Sequence, residues 1–82
     1  MEWKEGSIAL FDYGDLVFKV KIISYEGTDL VDIWKYRKKY RIKVLEVLKN
    51  DTQYETRIFM SNIFIICEDN LFEWHNNGYE LE

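Results

Sequence analysis

Few residues of this chain could support covalent catalysis. The only thiol, Cys67, and the only imidazole, His75, would have to act as a nucleophile–base pair, with an acid such as Asp69 orienting the imidazole. Cys67 ends an apolar run, where an inert buried thiol is the commoner outcome, and His75 lies in a polar turn. The sequence therefore predicts no catalytic residues and a protein that is not an enzyme.

The sequence also lacks the patterns of metal and nucleotide sites. One Cys and one His do not supply the three or four ligands of a zinc ion. Asp12 and Asp15 flank Gly14, but the acid-rich loop of a calcium site is missing, and these residues predict a turn. The four glycines are too far apart for a phosphate-binding loop. We therefore expect no cofactor and no metal.

The most distinctive stretch is IWKYRKKYRIK, residues 33–43, which holds six of the eleven Lys and Arg residues and no acid. We call it the basic run. The protein around it is acidic, with a net charge of -4. Residues 1–34 carry a charge of -4, residues 35–43 carry +6 and residues 44–82 carry -6. Because such blocks govern the choice of partner more than the fold, the basic run is the candidate binding segment.

Three interpretations of the basic run are open. Its cations could form only a solvated strand face and loop. They could instead neutralise phosphates while the aromatic residues stack on bases, so that the protein binds nucleic acid through residues 34–43. A sequence pI of about 5.0 argues against this, since nucleic-acid-binding domains are usually basic. The third interpretation is a protein partner, because Trp, Tyr and Arg are enriched at binding hot spots.

We expect the protein partner, because a basic patch on an acidic body orients a partner during encounter. The expected binding residues are Trp34, Tyr36, Arg37, Lys38, Lys39 and Tyr40. Acidic surfaces of some small phage-encoded inhibitors and immunity proteins occupy the nucleic-acid channel of a larger enzyme. The most specific expectation is therefore an inhibitor of a nucleic-acid-handling protein, of the phage or mobile-element accessory type. Exposed aromatic residues would also allow a homodimer.

Composition predicts a single domain over residues 1–82 with an ample core, since 48% of the residues are hydrophobic. One cysteine cannot form an intrachain disulfide, and the N-terminus lacks the pattern of a signal peptide. The longest apolar run, Ile63–Cys67, is far shorter than the ~20 residues that a membrane-spanning helix requires. We expect a soluble cytoplasmic protein without membrane contact.

Two segments alternate with the period of a β-strand. In residues 16–25, Leu16, Phe18, Val20 and Ile22 alternate with a face that carries two lysines. Residues 7–11 form a second run, and the turn at residues 12–15 joins the two into a hairpin. In residues 40–48 the alternation slips at Leu45, which predicts a β-bulge or a strand that bends and buries both faces.

Residues 29–38 are harder to interpret. Gly27 is expected to end the second strand, and Thr28 or Asp29 could then cap a short helix. Spacings of three and four residues also allow one long helix over residues 29–49, but β-branched residues favour a strand for residues 40–48. The prediction is a short helix or loop insert at 29–38.

Further apolar runs at 57–60, 63–67 and 71–74, separated by turns, complete an all-β pattern of five to six short strands. EGSIALF followed by LVFKVKIISY is similar to the opening strands of SH3-like small barrels of Tudor and KOW type, and YRIKVLEVL resembles a central strand. The resemblance covers residues 5–74, rests on strand pattern alone and implies a small barrel that binds peptides or nucleic acid. A Tudor-like aromatic cage could draw on Trp3, Tyr13, Tyr25 and Trp74, although core packing explains these residues better.

Overall fold

The computed structural model describes residues 3–32 and 35–74 and contains one five-stranded antiparallel sheet. The strands are β1 (Ile8–Asp12), β2 (Leu16–Asp32), β3 (Lys35–Asn50), β4 (Ile63–Cys67) and β5 (Leu71–Glu73). Their order across the sheet is β4-β3-β2-β1-β5. Two 3-10 helices, Thr56–Ile58 and Glu68–Asn70, lie in the connections before and after β4. The all-β prediction is confirmed.

The first hairpin forms as predicted. Phe11 pairs with Phe18 and Ala9 with Val20, so the apolar residues of both strands share one face. The Asp12 carboxylate accepts a hydrogen bond of 2.9 Å from the Gly14 amide, and Gly14 takes a φ of +79° that suits glycine. The aspartates therefore build a turn.

The predicted break at residues 26–29 is wrong. β2 continues to Asp32, and the register slips between Tyr25 and Thr28, where Gly27 has a φ of +100°. A glycine in this conformation absorbs a bulge and lets the strand go on. Residues 29–32 consequently pair with residues 35–37, so the predicted helix or loop insert at 29–38 is wrong for its described residues, which belong to a long β2–β3 hairpin.

The slip in residues 40–48 is a pair of β-bulges, as one of the two interpretations predicted. Lys19 pairs with Glu46 and Val20 with Val44, which leaves Leu45 without a partner on β2. The same irregularity recurs at Leu48. Each extra residue restores the alternation, so that Val44 is buried and Val47 packs against the core, and the helix over 29–49 is wrong.

One face of the sheet carries the core. Its buried residues are Ala9, Phe18, Val20, Ile22, Tyr40, Ile42, Val44 and Leu71. The sheet is not closed, since its order ends at β4 on one side and β5 on the other. β4 and β5 have only five and three residues, and a 3-10 helix separates them. The SH3-like barrel is therefore not confirmed, and the described strands form an open sheet.

Candidate functional site

The described part of the basic run, residues 35–43, lies on β3 and pairs with the second half of β2. We call residues 28–32 and 35–38 the arm. Tyr36 pairs with Leu30, Arg37 with Asp29, and Lys38 with Thr28. Trp34 lies outside the described residues. The other five predicted binding residues are therefore successive positions of one strand, which fixes how their side chains can point.

Strand alternation divides these residues between two faces. Tyr36, Lys38 and Tyr40 share the face that continues into the core, whereas Arg37, Lys39 and Arg41 share the opposite face. A nucleic acid could stack its bases on the aromatic rings and pair its phosphates with most of the cations only by contacting both sides of the hairpin. Of the described basic residues predicted to bind, the structure places only Lys38 on the face of the two tyrosines, whereas Arg37 and Lys39 lie on the opposite face.

The cations on the outer face are also matched by acids. The Arg37 Nε atom lies 2.6 Å from an Asp69 carboxylate oxygen, and Lys39 Nζ lies 3.2 Å from Asp29. Arg41 Nε donates to Glu26 over 3.2 Å. These contacts join β3 to β2 and to the 3-10 helix before β5. Much of the positive charge in the sequence block is therefore compensated within the fold.

The ion pairs shift two pKa values. The pKa of Glu26 is lowered, first by the Ser24 hydroxyl, which donates a hydrogen bond of 2.6 Å, and then by Arg41. The pKa of Arg37 is raised by its hydrogen bond to Asp69. Both shifts favour the charged form, the carboxylate of Glu26 and the guanidinium of Arg37.

Tyr40 belongs to the core and is not an exposed contact. Its side chain is only 2% exposed, its ring packs 5.6 Å from that of Tyr25, and its hydroxyl oxygen accepts a 3.4 Å hydrogen bond from the Trp3 amide. Tyr36, by contrast, is 65% exposed. Of the two predicted tyrosines, only Tyr36 can therefore meet a partner directly.

A small cavity of about 220 Å³ lies at the base of the arm, lined by Trp3, Tyr25, Lys38 and Tyr40. It brings together two of the aromatic residues considered for a cage, while Tyr13 lines a different cavity. Lys38 lines the cavity itself, and its ammonium group disfavours a cationic guest. The arrangement does not resemble a site for a methylated cation.

A second cavity, which the sequence did not indicate, opens on the core face between β1–β2 and β4. We call it the groove. It has a volume of about 220 Å³. Its lining residues are Phe11, Tyr13, Leu16, Phe18, Ile42, Phe59, Phe64, Ile65 and Ile66. All are aliphatic or aromatic, and Tyr13, at 66% exposed, stands at its rim.

A row of aromatic rings supports the groove. Tyr13 stacks on Phe11 with ring centres 6.0 Å apart, Phe11 on Phe18 at 5.7 Å, and Phe18 meets Phe59 at 5.3 Å. Tyr54 closes the row with an edge contact of 6.4 Å to Phe59. Stacked rings of this kind hold one another in place. The groove therefore offers a pre-shaped apolar surface.

Local sequence patterns do not reveal the groove, because its members come from the first hairpin, from the segment before β4 and from β4 itself. One signal was available. Residues 58–67, IFMSNIFIIC, contain no charged residue. The uninterrupted apolar strand Ile63–Cys67 predicts burial on both faces, yet Ile63, Phe64 and Ile65 are exposed. Apolar residues that a strand pattern predicts to be buried, but that the fold leaves open, mark a surface for another molecule.

The described residues contain no metal-binding cluster, and they leave the predicted absence of catalysis untested. Asp69 is engaged by Arg37, and His75 lies outside the described residues, so the Cys67–His75 pair cannot be placed. Within residues 3–32 and 35–74, no group of three or more His, Cys, Asp or Glu residues could hold a metal ion. The same part of the chain contains no helix long and apolar enough to cross a membrane.

Comparison of this chain with protein-family models, with curated proteins and with solved structures finds no match.

Proposed function

We propose that this protein is a non-enzymatic binding module that holds an apolar segment of a protein partner in the groove. The observation that carries the proposal is the groove itself, about 220 Å³ in volume, apolar throughout its lining and rimmed by exposed Tyr13 and Phe64. Pockets for drug-sized molecules usually start at about 300 Å³. A smaller apolar groove suits one or two side chains presented by a protein segment.

The aromatic row favours tight binding by such a segment. Because Tyr13, Phe11 and Phe18 are stacked, their rings lose little conformational freedom when a partner arrives. Aromatic anchors in water-excluding pockets supply most of the energy at protein interfaces. The groove therefore has both the residue types and the rigidity of a hot spot.

Nucleic-acid binding through residues 34–43 is the weaker candidate. Arg37, Lys39 and Arg41 are paired with acids, and their strand face is opposite to that of Tyr36. The more specific role of inhibiting a nucleic-acid-handling protein rests on the acidic composition alone. The ion pairs between basic and acidic side chains of this chain add no support for it.

We further propose that the sheet is an open variant of the SH3-like arrangement. The long hairpin strands β2 and β3 connect β1 and β5 to β4, and β1 and β3 each have two neighbours. A sheet of the SH3-like kind is strongly bent, and β-bulges such as those in β2 and β3 bend the strands that contain them.

The test uses peptides selected from a random displayed library against the full chain, with dissociation constants measured by fluorescence polarisation. We expect selected peptides rich in apolar residues, and a Tyr13→Ala variant that binds them at least about tenfold more weakly. Tyr36→Ala is the matched control, because Tyr36 is an equally exposed tyrosine on the arm. Its affinity should be unchanged.

Three outcomes would overturn the proposal. The selection could yield no peptide that binds the purified chain. Tyr36→Ala rather than Tyr13→Ala could abolish binding, which would return the site to the arm. Labelled single-stranded DNA could bind in place of peptides, with an affinity that falls steeply with salt, which would favour the nucleic-acid alternative.

A further inference from the structure

β4 is an edge strand with one hydrogen-bonded neighbour, β3, among the described residues. The backbone amide of Val44 donates to the Asn62 carbonyl over 2.9 Å, and the Ser61 amide donates to Val44 over 3.1 Å. Because hydrogen-bonded and non-hydrogen-bonded pairs alternate along an antiparallel ladder, the backbone amide and carbonyl groups of Phe64 and Ile66 point toward β3. The amide and carbonyl groups of Ile63, Ile65 and Cys67 consequently point to the open side.

Within the part of the chain that the structure describes, this edge lacks the features that usually prevent strands from pairing with other molecules. Native edges are protected by lysines, prolines, bulges or a covering segment. Residues 58–67 contain neither a charged residue nor a proline, and β4 pairs with β3 in unbroken register. Ile63 is 54% exposed and Ile65 is 52% exposed. A short, uncharged segment of high β-propensity with a free edge is prone to pair with another strand.

We infer that a second copy of this chain covers the edge, with the two β4 strands antiparallel about a two-fold axis at Ile65. In this register Ile65 faces Ile65 of the second copy, and Ile63 faces its Cys67. Each of these pairs directs its backbone groups to the open side, so the strands can exchange hydrogen bonds in the alternating pattern of an antiparallel ladder. The result is a ten-stranded sheet with isologous contacts, the usual symmetry of homodimers.

Charge favours a second copy as the occupant. Within β4, the two-fold register places only uncharged side chains opposite one another. Just beyond it, Glu68 and Asp69 leave the strand in the 3-10 helix and are held by the Lys38 amide and by Arg37, so the β4 ladder places no acid opposite an acid. Like charges directly across a sheet would be destabilising. The strand is thus complementary to itself along its whole length.

The dimer also brings the two grooves together. Phe64 and Ile66 line the groove, and in the two-fold register Phe64 lies beside Ile66 of the second copy on the same face. Two grooves would then border one apolar surface on the core side of the sheet. This inference goes beyond the proposed function and does not depend on it, because it rests on the backbone edge of β4.

The test is sedimentation equilibrium of the full chain over a range of concentrations, with hydrogen exchange of the Ile65 amide as a second readout. We expect a mass of twice the 10.0 kDa of one chain, and protection of the Ile65 amide that increases with concentration. Ile65→Lys and Ile65→Glu should each raise the dimer dissociation constant by roughly 100-fold, because each places like charges at the axis and removes the apolar contact between the two isoleucines. Mixing the two variants should restore the dimer.

The mixing step also guards against misfolding, since misfolded variants would not associate on mixing. Ile58→Lys is the matched control, because Ile58 is similarly exposed, at 44%, but lies outside β4, and this variant should remain dimeric. A wild-type chain that is monomeric at all concentrations would overturn the inference, including the case in which β4 pairs only with a selected peptide. A dimer that survives Ile65→Lys would overturn it as well.

Discussion

Tyr40 and Tyr36 lie four residues apart in the basic run, and the structure assigns them opposite roles. Tyr40 is 2% exposed and packs in the core beside Ile42 and Tyr25, whereas Tyr36 is 65% exposed on the arm. Truncation of a large buried aromatic residue to alanine costs about 3–5 kcal/mol, since it removes apolar contacts and leaves a cavity. We therefore expect Tyr40→Ala to lower the free energy of unfolding by about 3–5 kcal/mol, and Tyr36→Ala by less than about 0.5 kcal/mol.

The measurement is urea unfolding at equilibrium, followed by tryptophan fluorescence. Domains of this size have an unfolding free energy of roughly 4–12 kcal/mol, so Tyr40→Ala should remove a large part of it. Tyr40→Phe keeps the ring and loses only the 3.4 Å hydrogen bond to the Trp3 amide, and should cost about 1 kcal/mol or less. Equal costs for the two alanine variants, or a cost below about 1 kcal/mol for Tyr40→Ala, would refute the placement of Tyr40 in the core.

Two further predictions concern the base of the arm. The folded pKa of Glu26 is lower than its ordinary value of 4.5, so the stabilisation from this carboxylate is present above pH 4.5 and is lost as the pH falls through the lower folded pKa. Glu26→Gln should therefore weaken the pH dependence of the unfolding free energy below pH 4.5, and an unchanged acid profile would contradict the role of Ser24 and Arg41. Gly27→Ala should destabilise the protein by about 1 kcal/mol or more, because an L residue is strained at a φ of +100° although no atom lies within 4 Å of the added Cβ. Thermal unfolding measures this cost, and a stabilised variant would show that the bulge adopts another conformation.

Much of the sheet could be predicted from the sequence, because period-two alternation is a direct consequence of strand geometry. Residues 16–25 and 40–48 are strands, and the slip at Leu45 is a bulge. The error at residues 26–38 arose from treating Gly27 as the end of a strand. A glycine with positive φ can also absorb an irregularity inside a strand, and only the pairing of β2 with β3 decides between the two.

The site was less predictable, for a related reason. Once the basic run is assigned to a strand, alternation places Tyr36 and Arg37 on opposite faces, which argues against their acting together. The acids that compensate the run lie at a distance in sequence: Asp69 is 32 residues from Arg37, and Glu26 is 15 residues from Arg41. The groove likewise joins Tyr13 to Phe59 and Phe64. No local pattern specifies contacts of this kind.

In the folded chain, the basic run contacts acidic residues that lie far from it in the sequence. Arg37 binds Asp69, and the Lys38 amide donates a hydrogen bond of 3.0 Å to Glu68, so the basic run holds the 3-10 helix that connects β4 to β5. Exposed ion pairs stabilise a fold by only about 0–1 kcal/mol each, so their main effect is to fix where this connection lies.

Among the described cations of β2 and β3, Lys21 and Lys43 form neither an ion pair nor a cation–π contact with any described residue, whereas Lys19 Nζ lies 4.8 Å from the centre of the Trp74 ring. Lys21 and Lys43 oppose each other across the outer face of the sheet. Two lysines on one face provide a weak basis for recognition, whereas the groove and the edge of β4 leave several large apolar side chains open to solvent. Burying those side chains releases more free energy than pairing exposed charges. Apolar contact is therefore the stronger physical basis for the proposed binding function.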